Sequence, residues 1–225
     1  MKLTLFRYFL IFTSLVVVFF AAKYAIANLS YLKVDSYLER WQVNKEVKQA
    51  ELDDALESTN TMLSLHGHFP HYLNVAAKVY EWQAYAHRSD SSIQQTSLQK
   101  ALSYYQKSTQ LREHWPLTWI FMANVKANLS EFDDDFYFYI NQAIKYGPYA
   151  HEVNLQVAKL QLLYWGKLPK LPTKIGLEHI KRALLNNRTR IGLLNYARDL
   201  ERSALVCTVA RLNKIESALQ NYTCR

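Results

Sequence analysis

The chain has 225 residues, half of them hydrophobic, and it carries a formal net charge of +8 at pH 7. It contains only five glycines and five prolines, which is too few for a turn-rich β-sandwich or barrel or for a glycine-looped nucleotide-binding fold. We therefore expect an all-α protein whose helices are joined by short loops.

The first 30 residues, 1–30, are predicted to form a membrane anchor. A long apolar run makes a transmembrane helix the expected structure over about residues 8–28. Lys2 and Arg7 precede this run, which predicts a cytoplasmic N-terminus and leaves the bulk of the chain on the other side of the membrane. The alternative is a secretory signal peptide that is cleaved after Ala27.

Helical hairpins are predicted over residues 66–225, after a linker and first helices in residues 31–65. Three similar segments begin at Pro70, Pro116 and Pro148, and each continues with small or apolar residues at helical spacing. Proline suits the first position of a helix, where its missing N–H has no partner to lose. Each of the three prolines is therefore predicted to start a helix, whose partner helix ends just before the next proline.

The unit from Pro116 to Pro148 spans 32 residues and resembles a tetratricopeptide repeat, in which small residues let two helices cross closely. The distance from Pro70 to Pro116 is longer, and the polar residues 87–97 are predicted to be a loop that accounts for the difference. Residues 166–176 are predicted to interrupt the next pair. The expected fold is a set of degenerate tetratricopeptide-like helical hairpins that form an α-solenoid.

The sequence LHGHFPHY at residues 65–72 brings His66, His68 and His71 close together. Two or three imidazoles can hold zinc, but no cysteine or HExxH motif completes a recognisable site. The segment also occupies the same place as the residues before Pro116. We interpret the three histidines as residues of a helix junction and expect neither a metal nor another cofactor.

Cys207 and Cys224 form an even pair near the C-terminus. Outside the cytoplasm such a pair is able to form a disulfide. A continuous helix would hold the two residues about 25 Å apart, so a bond requires the chain to turn back between residues 211 and 220. The alternative is two unpaired thiols, with Cys207 on an apolar helix face.

Four carboxylates cluster in a short segment, at Glu131, Asp133, Asp134 and Asp135. A cation site is one interpretation, but the alternation of ligands and the glycine of a calcium-binding loop are absent. Carboxylates in the first turn of a helix are stabilised by the helix dipole. We therefore predict that this cluster begins a helix.

The C-terminal region, residues 167–225, holds twelve Lys and Arg against four acidic residues. Its expected location outside the cytoplasm argues against nucleic acid and favours an anionic glycan, a lipid headgroup or an acidic protein, although solvated basic faces are common. Tyr164 and Trp165, beside the 166–176 insert, are the aromatic residues that we expect to be exposed and available for binding.

The anchor, the degenerate hairpins, the junction LREHWPLTWIFMANVK at residues 111–126 and the cysteine pair together resemble the VpsP family of bacterial exopolysaccharide-biosynthesis proteins. They are also similar to the tetratricopeptide tails of some polysaccharide polymerases and O-antigen ligases. The resemblance implies a single-pass protein of the bacterial inner membrane with a periplasmic scaffold domain. Its partners would be other inner-membrane proteins that assemble or export a surface polysaccharide.

An enzyme is not expected, because no Ser-His-Asp order, Walker loop or dinucleotide fingerprint is present. Two alternatives remain from other functional classes. One is a periplasmic metal-dependent enzyme built around His66, His68 and His71. The other is a secreted protein that binds anionic glycans through its basic C-terminal region.

Overall fold

The computed structural model describes residues 2–219 and 222–224, with side chains from Phe6 onward. In this part of the chain the protein is all-α, as the composition predicts, and ten α-helices pair into hairpins. The helices are α1 (Lys2–Asn44), α2 (Gln49–His66), α3 (Pro70–Ala86), α4 (Ser91–Leu111), α5 (Pro116–Asn128), α6 (Asp134–Tyr146), α7 (His151–Leu163), α8 (Thr173–Leu185), α9 (Asn187–Asp199) and α10 (Ser203–Leu212), followed by a short 3₁₀ helix (Glu216–Ala218).

The helices group into two compact units. Unit 1 ends at Leu111 and contains α1 to α4, and unit 2 begins at Arg112 and contains α5 to α10. The hairpin partners are α1 with α2 and α3 with α4 in unit 1, and α5 with α6 and α7 with α8 in unit 2.

In unit 1, the second half of α1 is a core helix. Ala27, Val34 and Trp41 follow one another at seven-residue intervals and are at most 1% exposed. Seven residues are close to two helical turns, so the three side chains share one face. This face packs on α2 and α3, and α1 runs antiparallel to α2 because Lys33 pairs with Asp54 at 2.6 Å while Trp41 Nε1 donates to Glu51 at 3.0 Å.

Two polar contacts of buried side chains join α3 to α4. The Tyr105 hydroxyl, which is fully buried, donates to the Glu81 carboxylate. Near the end of α4, Ser108 Oγ donates to the Pro70 carbonyl oxygen at 3.1 Å. The last turns of α4 therefore lie beside the start of α3.

Two of the three prolines start helices as predicted. Pro70 and Pro116 occupy the first positions of α3 and α5, after Phe69 and Trp115 in extended conformation. In unit 2, Gly147 lies so close to Pro116 that a β-carbon at Gly147 would come within 2.7 Å of the proline ring. The end of α6 therefore lies against the start of α5, as the end of α4 lies against the start of α3.

The prediction that Pro148 starts a helix is wrong. The α7 helix begins three residues later at His151, after Ala150 in extended conformation. A tight turn intervenes, in which the Ala150 N–H donates to the Gly147 carbonyl at 3.1 Å. Pro148 belongs to this turn and not to the helix.

The predicted loop at residues 87–97 is mostly helix. The connection ends at Asp90, and α4 begins at Ser91. The Asp90 side chain accepts hydrogen bonds from the N–H groups of Ser92 and Ile93 at 3.0 and 3.1 Å. This is the hydrogen bonding of a helix N-cap, and it stabilises the start of α4 at Ser91. Most of the polar residues that were predicted to be a loop therefore form the first turns of α4.

The core of unit 2 lies among α7, α8, α9 and α10 and receives the C-terminal segment. Its fully buried side chains include Leu162, Ile180, Leu184, Leu193 and Val206. The predicted interruption at residues 166–176 is a loop only until Pro172, since α8 begins at Thr173.

Candidate functional surfaces

The three clustered histidines lie at the α2–α3 junction, which we define as residues 66–71. His66 is the last residue of α2, His68 is exposed in the turn, and His71 is the second residue of α3. The His66 ring stacks on Phe69 with centroids 5.2 Å apart, and it contacts the ring of Tyr24 in α1 at 4.7 Å.

His71 is half-buried, and it shares Phe69 and Tyr72 with His66 as neighbouring rings. Its ring meets the edge of Tyr31 in α1, with centroids 5.0 Å apart. Burial lowers the pKa of His71, and the charge of Asp35 opposes this effect only in part. Within residues 6–219 and 222–224, no group of three or more His, Cys, Asp or Glu side chains is arranged to hold a metal ion.

The two aromatic residues that were expected to be exposed are both half-buried. Tyr164 packs edge-on against Phe132 with centroids 4.8 Å apart, and its hydroxyl donates to the Ala127 carbonyl at 3.4 Å. Burial raises the pKa of Tyr164. Tyr164 thus ties the end of α7 to the α5–α6 hairpin, while Trp165 follows it in the loop.

The acidic segment begins α6, as the sequence predicts, and it also holds a buried lysine. Asp133 caps α6 by accepting a backbone N–H of its first turn at 3.1 Å. Lys126, only 6% exposed, donates to Glu131 at 2.5 Å and to Asp133 at 2.6 Å. Burial alone would lower the pKa of Lys126, but its bonds to the two carboxylates raise it. These two carboxylates therefore neutralise a cation of the protein itself.

The structure joins Cys207 and Cys224 in a disulfide. The chain turns back after α10, and the returning segment is also held by Tyr222. Its hydroxyl donates to the Leu194 carbonyl at 2.9 Å and forms a second hydrogen bond with Ser203 at 2.7 Å. We call the disulfide and the contacts of Tyr222 the C-terminal clasp.

Part of the basic charge of the C-terminal region has structural partners. Arg190 Nε donates to the Leu184 carbonyl at the end of α8 at 2.7 Å, and an Arg182 guanidinium nitrogen donates to the Pro148 carbonyl at 2.6 Å. Cations at these positions satisfy carbonyl groups that have no helical partner. Arg225 lies outside the described residues.

Unit 1 contains an open concavity of about 390 Å³ between α2, α3 and α4, which we call the α2–α4 groove. It is lined by Leu56, Asn60, Tyr80, Gln83, Ser92, Ile93, Thr96, Ser97 and Lys100. Most of these side chains are neutral and carry amides or hydroxyls, which both donate and accept hydrogen bonds.

Only a few of these polar groups are tied to each other. Ser97 Oγ donates to Gln83 Oε1 at 3.1 Å, and the Lys100 ammonium lies 4.5 Å from the ring centroid of Tyr80. The side chains of Asn60 and Thr96 are exposed at the rim. The groove therefore offers hydrogen-bonding groups, one aromatic face and one cation to an extended polar ligand.

A smaller concavity of about 270 Å³ lies between α1 and α2. Its wall contains the ion pair of Lys33 with Asp54, and the Tyr37 hydroxyl donates to the same carboxylate at 2.5 Å. Among the described residues that line this concavity, the only cation, Lys33, is bound to Asp54, which makes the concavity a weaker candidate for ligand binding.

The N-terminal half of α1 differs from its second half. One helix in the described chain, Phe6–Asn44, is long and apolar enough to cross a membrane, a property that signal sequences share. Its large hydrophobic side chains before Ala27 are exposed, and Ala27 is the first buried residue.

Residues 31–44, which were assigned to a linker and first helices, contribute to the core of unit 1, and this packing was not predicted. The signal was present, because Ala27, Tyr31, Val34, Leu38 and Trp41 alternate at intervals of four and three residues. Such spacing is typical of a helix that packs along one face. The buried Lys126 was also missed, since nothing near it in sequence indicates its burial.

No protein-family model matches this sequence, and no curated protein matches it.

Proposed function

We propose that this protein is a membrane-anchored scaffold without catalytic turnover, whose helical hairpins bind proteins that assemble or export a surface polysaccharide. In this proposal α1 crosses the bacterial inner membrane once, the N-terminus is cytoplasmic, and the hairpins lie in the periplasm. The hairpins are degenerate tetratricopeptide-like repeats.

The observation that carries the proposal is the continuity of α1. One uninterrupted helix has an exposed apolar half, up to Ile26, and a half that belongs to the core of unit 1, from Ala27 to Trp41. An exposed apolar stretch of this length is costly in water and favourable in a bilayer. In this proposal the membrane anchor and the first core helix of unit 1 are therefore parts of the same helix.

This continuity also favours retention of the anchor over cleavage after Ala27. Ala27 is fully buried, and the bond that follows it lies within a helix beside the α2–α3 junction. Nearby, the Tyr72 hydroxyl donates to the Asn28 side chain at 3.4 Å. A protease that met the folded protein would have to unwind α1 and separate these contacts before it reached this bond.

Repetition of one hairpin geometry supports the tetratricopeptide-like interpretation. Ser108 contacts Pro70 in the α3–α4 hairpin, and Gly147 lies against Pro116 in the α5–α6 hairpin. In both, a small residue lets the end of the second helix approach the proline that starts the first.

The α2–α4 groove supports binding of an extended peptide segment of a partner. The side-chain amides of Asn60 and Gln83 are able to pair with backbone N–H and C=O groups of such a segment, and Lys100 favours an acidic side chain. His66 and His71 pack against aromatic rings, among them Tyr24 and Tyr31, which supports a structural role for the α2–α3 junction. The disulfide suits an oxidising compartment, and polysaccharide assembly is proposed from the sequence resemblance.

The test is photocrosslinking in intact cells with a photoreactive amino acid. Thr96, in the wall of the groove, is replaced in one strain, and its exposed neighbour Gln95, outside the lining, is replaced in a control strain. We expect Thr96 to capture a component of polysaccharide assembly, identified by mass spectrometry, and Gln95 to capture much less.

Equal capture from both positions, or capture of proteins unrelated to polysaccharide assembly, would contradict the proposal. Hydrolase or transferase activity of the purified full-length protein would contradict the absence of turnover.

A further inference from the structure

We propose that the α2–α3 junction, together with Tyr24, rests on the lipid headgroups of the membrane that α1 crosses. The inference rests on the proposed anchoring and adds to it a second contact between unit 1 and the bilayer. It also gives the histidine-rich segment a function, as the part of the domain that faces the membrane.

The position of the bilayer surface follows from α1. The helix from Phe6 to Ile26 is about 30 Å long, which matches the hydrocarbon thickness of a typical bilayer. Burial in unit 1 begins at the next residue, Ala27. The end of the apolar segment and the start of the folded domain therefore coincide.

The α2–α3 junction lies at this same level. The rings of Tyr24 and His66 are 4.7 Å apart, and those of Tyr31 and His71 are 5.0 Å apart. Tyr24 belongs to the last turn of the apolar segment. A group in contact with it lies within one helical turn, about 5 Å, of the expected bilayer surface.

The chemistry of the junction suits the interface between lipid and water. Tyr24 and Phe69 expose 45% and 41% of their surfaces, and His68 is exposed in the turn between the helices. The ring of Tyr24 carries a polar hydroxyl, and such rings concentrate at headgroup level, whereas Phe69 contributes apolar surface alone. Lys23 adds a cation at the same level of α1.

The distribution of carboxylates in unit 1 also favours a contact between the junction and the membrane. No acidic residue occurs in residues 6–34 of α1, residues 58–80 of α2 and α3, or residues 91–111 of α4. The first carboxylate of α1, Asp35, lies about 14 Å beyond Ile26 along the helix. An end of a domain without negative charge is compatible with anionic lipids, which would repel carboxylates.

The end of α4 extends this surface. Because Ser108 contacts Pro70 at 3.1 Å, the last turn of α4 lies near the junction, and Leu111 in that turn is 48% exposed. Two separated contacts, α1 and the junction, would fix the orientation of unit 1. Asn60 would then stand about 9 Å, and Gln83 about 20 Å, above the surface, so the α2–α4 groove would select a partner segment close to the membrane.

The experiment measures the depth of nitroxide labels by their collisions with oxygen and with a water-soluble nickel complex. The full-length protein is placed in vesicles of phosphatidylethanolamine and phosphatidylglycerol, with the native disulfide retained. Single labels are attached in the variants His68→Cys and Leu111→Cys at the proposed surface, Ser91→Cys at the opposite end of α4, and Val17→Cys within the apolar segment.

We expect the Val17 label in the hydrocarbon, the His68 and Leu111 labels within about 10 Å of the lipid boundary, and the Ser91 label about 30 Å from it in water. A Val17 label in lipid with His68 and Leu111 labels as water-exposed as the Ser91 label would overturn this inference and leave the anchor intact. A water-exposed Val17 label would refute the anchor and, with it, the membrane contact.

Discussion

The two units hold their terminal segments in place by different means. Unit 1 begins with a helix whose face of Ala27, Val34 and Trp41 is buried by noncovalent packing on α2 and α3. Unit 2 ends with a short returning segment that a disulfide and Tyr222 hold against α9 and α10.

The difference indicates what each end requires. A segment at the end of a unit has neighbours on one side only, and its contacts with the rest of the unit must hold it in place. The part of α1 after its apolar segment, Ala27 to Asn44, is long enough to bury a full face, whereas the segment after α10 is short and gains its stability from a covalent bond. Unit 1 should therefore respond most to changes in packing and unit 2 to changes in its covalent and polar contacts.

The largest expected effect concerns the packing of α1. Trp41→Ala should destabilise unit 1 by about 3–5 kcal/mol, because it leaves a cavity beside Trp82 and removes the hydrogen bond to Glu51. Hydrogen exchange of the full-length protein in detergent, read by peptide, should quicken in unit 1 and not in unit 2. Val43→Ala, at a position 79% exposed, is the matched control and should change stability by less than about 0.5 kcal/mol. A uniform increase across both units would argue against separate cores.

The next effect concerns the C-terminal clasp. Cys207→Ala combined with Cys224→Ala should cost unit 2 about 3 kcal/mol, because the bond closes a loop with a sequence separation of 17. Exchange should increase first in α9 and α10 and leave α1 to α4 unchanged. Unaltered exchange in α10 would show that Tyr222 alone holds the segment.

A buried histidine should make unit 2 sensitive to acid. His179 is 2% exposed and bonded to Asn154 Oδ1 at 2.7 Å, and burial, helped by the charge of Arg182, lowers its pKa from 6.5 to about 4. Well above pH 6.5, His179 is neutral in both the folded and the unfolded state. As pH falls below 6.5 only the unfolded chain takes up a proton, so stability should drop by about 2 kcal/mol by pH 5.

Urea titrations at pH 7 and pH 5 check this prediction. His179→Gln should reduce the difference between the two pH values by about that amount, whereas His114→Gln, at an exposed position of the same unit, should preserve it. An unchanged pH dependence in His179→Gln would assign the acid sensitivity to other groups.

The smallest effect compares two helical glycines of unit 2. A β-carbon at Gly176 would come within 2.4 Å of the Gln161 side chain, which is 2% exposed, whereas Gly192 has no atom within 4 Å of such a carbon. Gly176→Ala should destabilise by about 1 kcal/mol after the gain in helix propensity is included, and Gly192→Ala should stabilise by about as much. Thermal unfolding of the two variants checks the opposite signs, and Gln161→Ala should relieve the cost at Gly176.

The sequence predicted the fold class and the starts of α3 and α5 because these depend on local signals. Low glycine and proline content indicates helices, and Pro70 and Pro116 fit the first turn of a helix on their own. The prediction for Pro148 was wrong because this proline lies in a turn that ends at Ala150, and α7 begins only at His151. The 87–97 loop prediction failed because composition was weighed above the capping residue Asp90, which shows that one side chain can decide where a helix begins.

The candidate surfaces were less predictable, because they depend on contacts between residues far apart in sequence. The spacing of the three histidines was visible, but the ring contacts of His66 with Tyr24 and of His71 with Tyr31 were not. The groove between α2 and α4 likewise arises only when the hairpins pack together. Burial of Lys126 depends on how the α5–α6 hairpin closes, and composition carries no signal for it.

The mass of the mature protein, extracted from washed membranes, tests the central claim most directly. If α1 is both anchor and core helix, the protein should remain in the membrane fraction with residues 1–27 attached. A mature chain that begins at Asn28 and is recovered in the soluble periplasmic fraction would contradict the account.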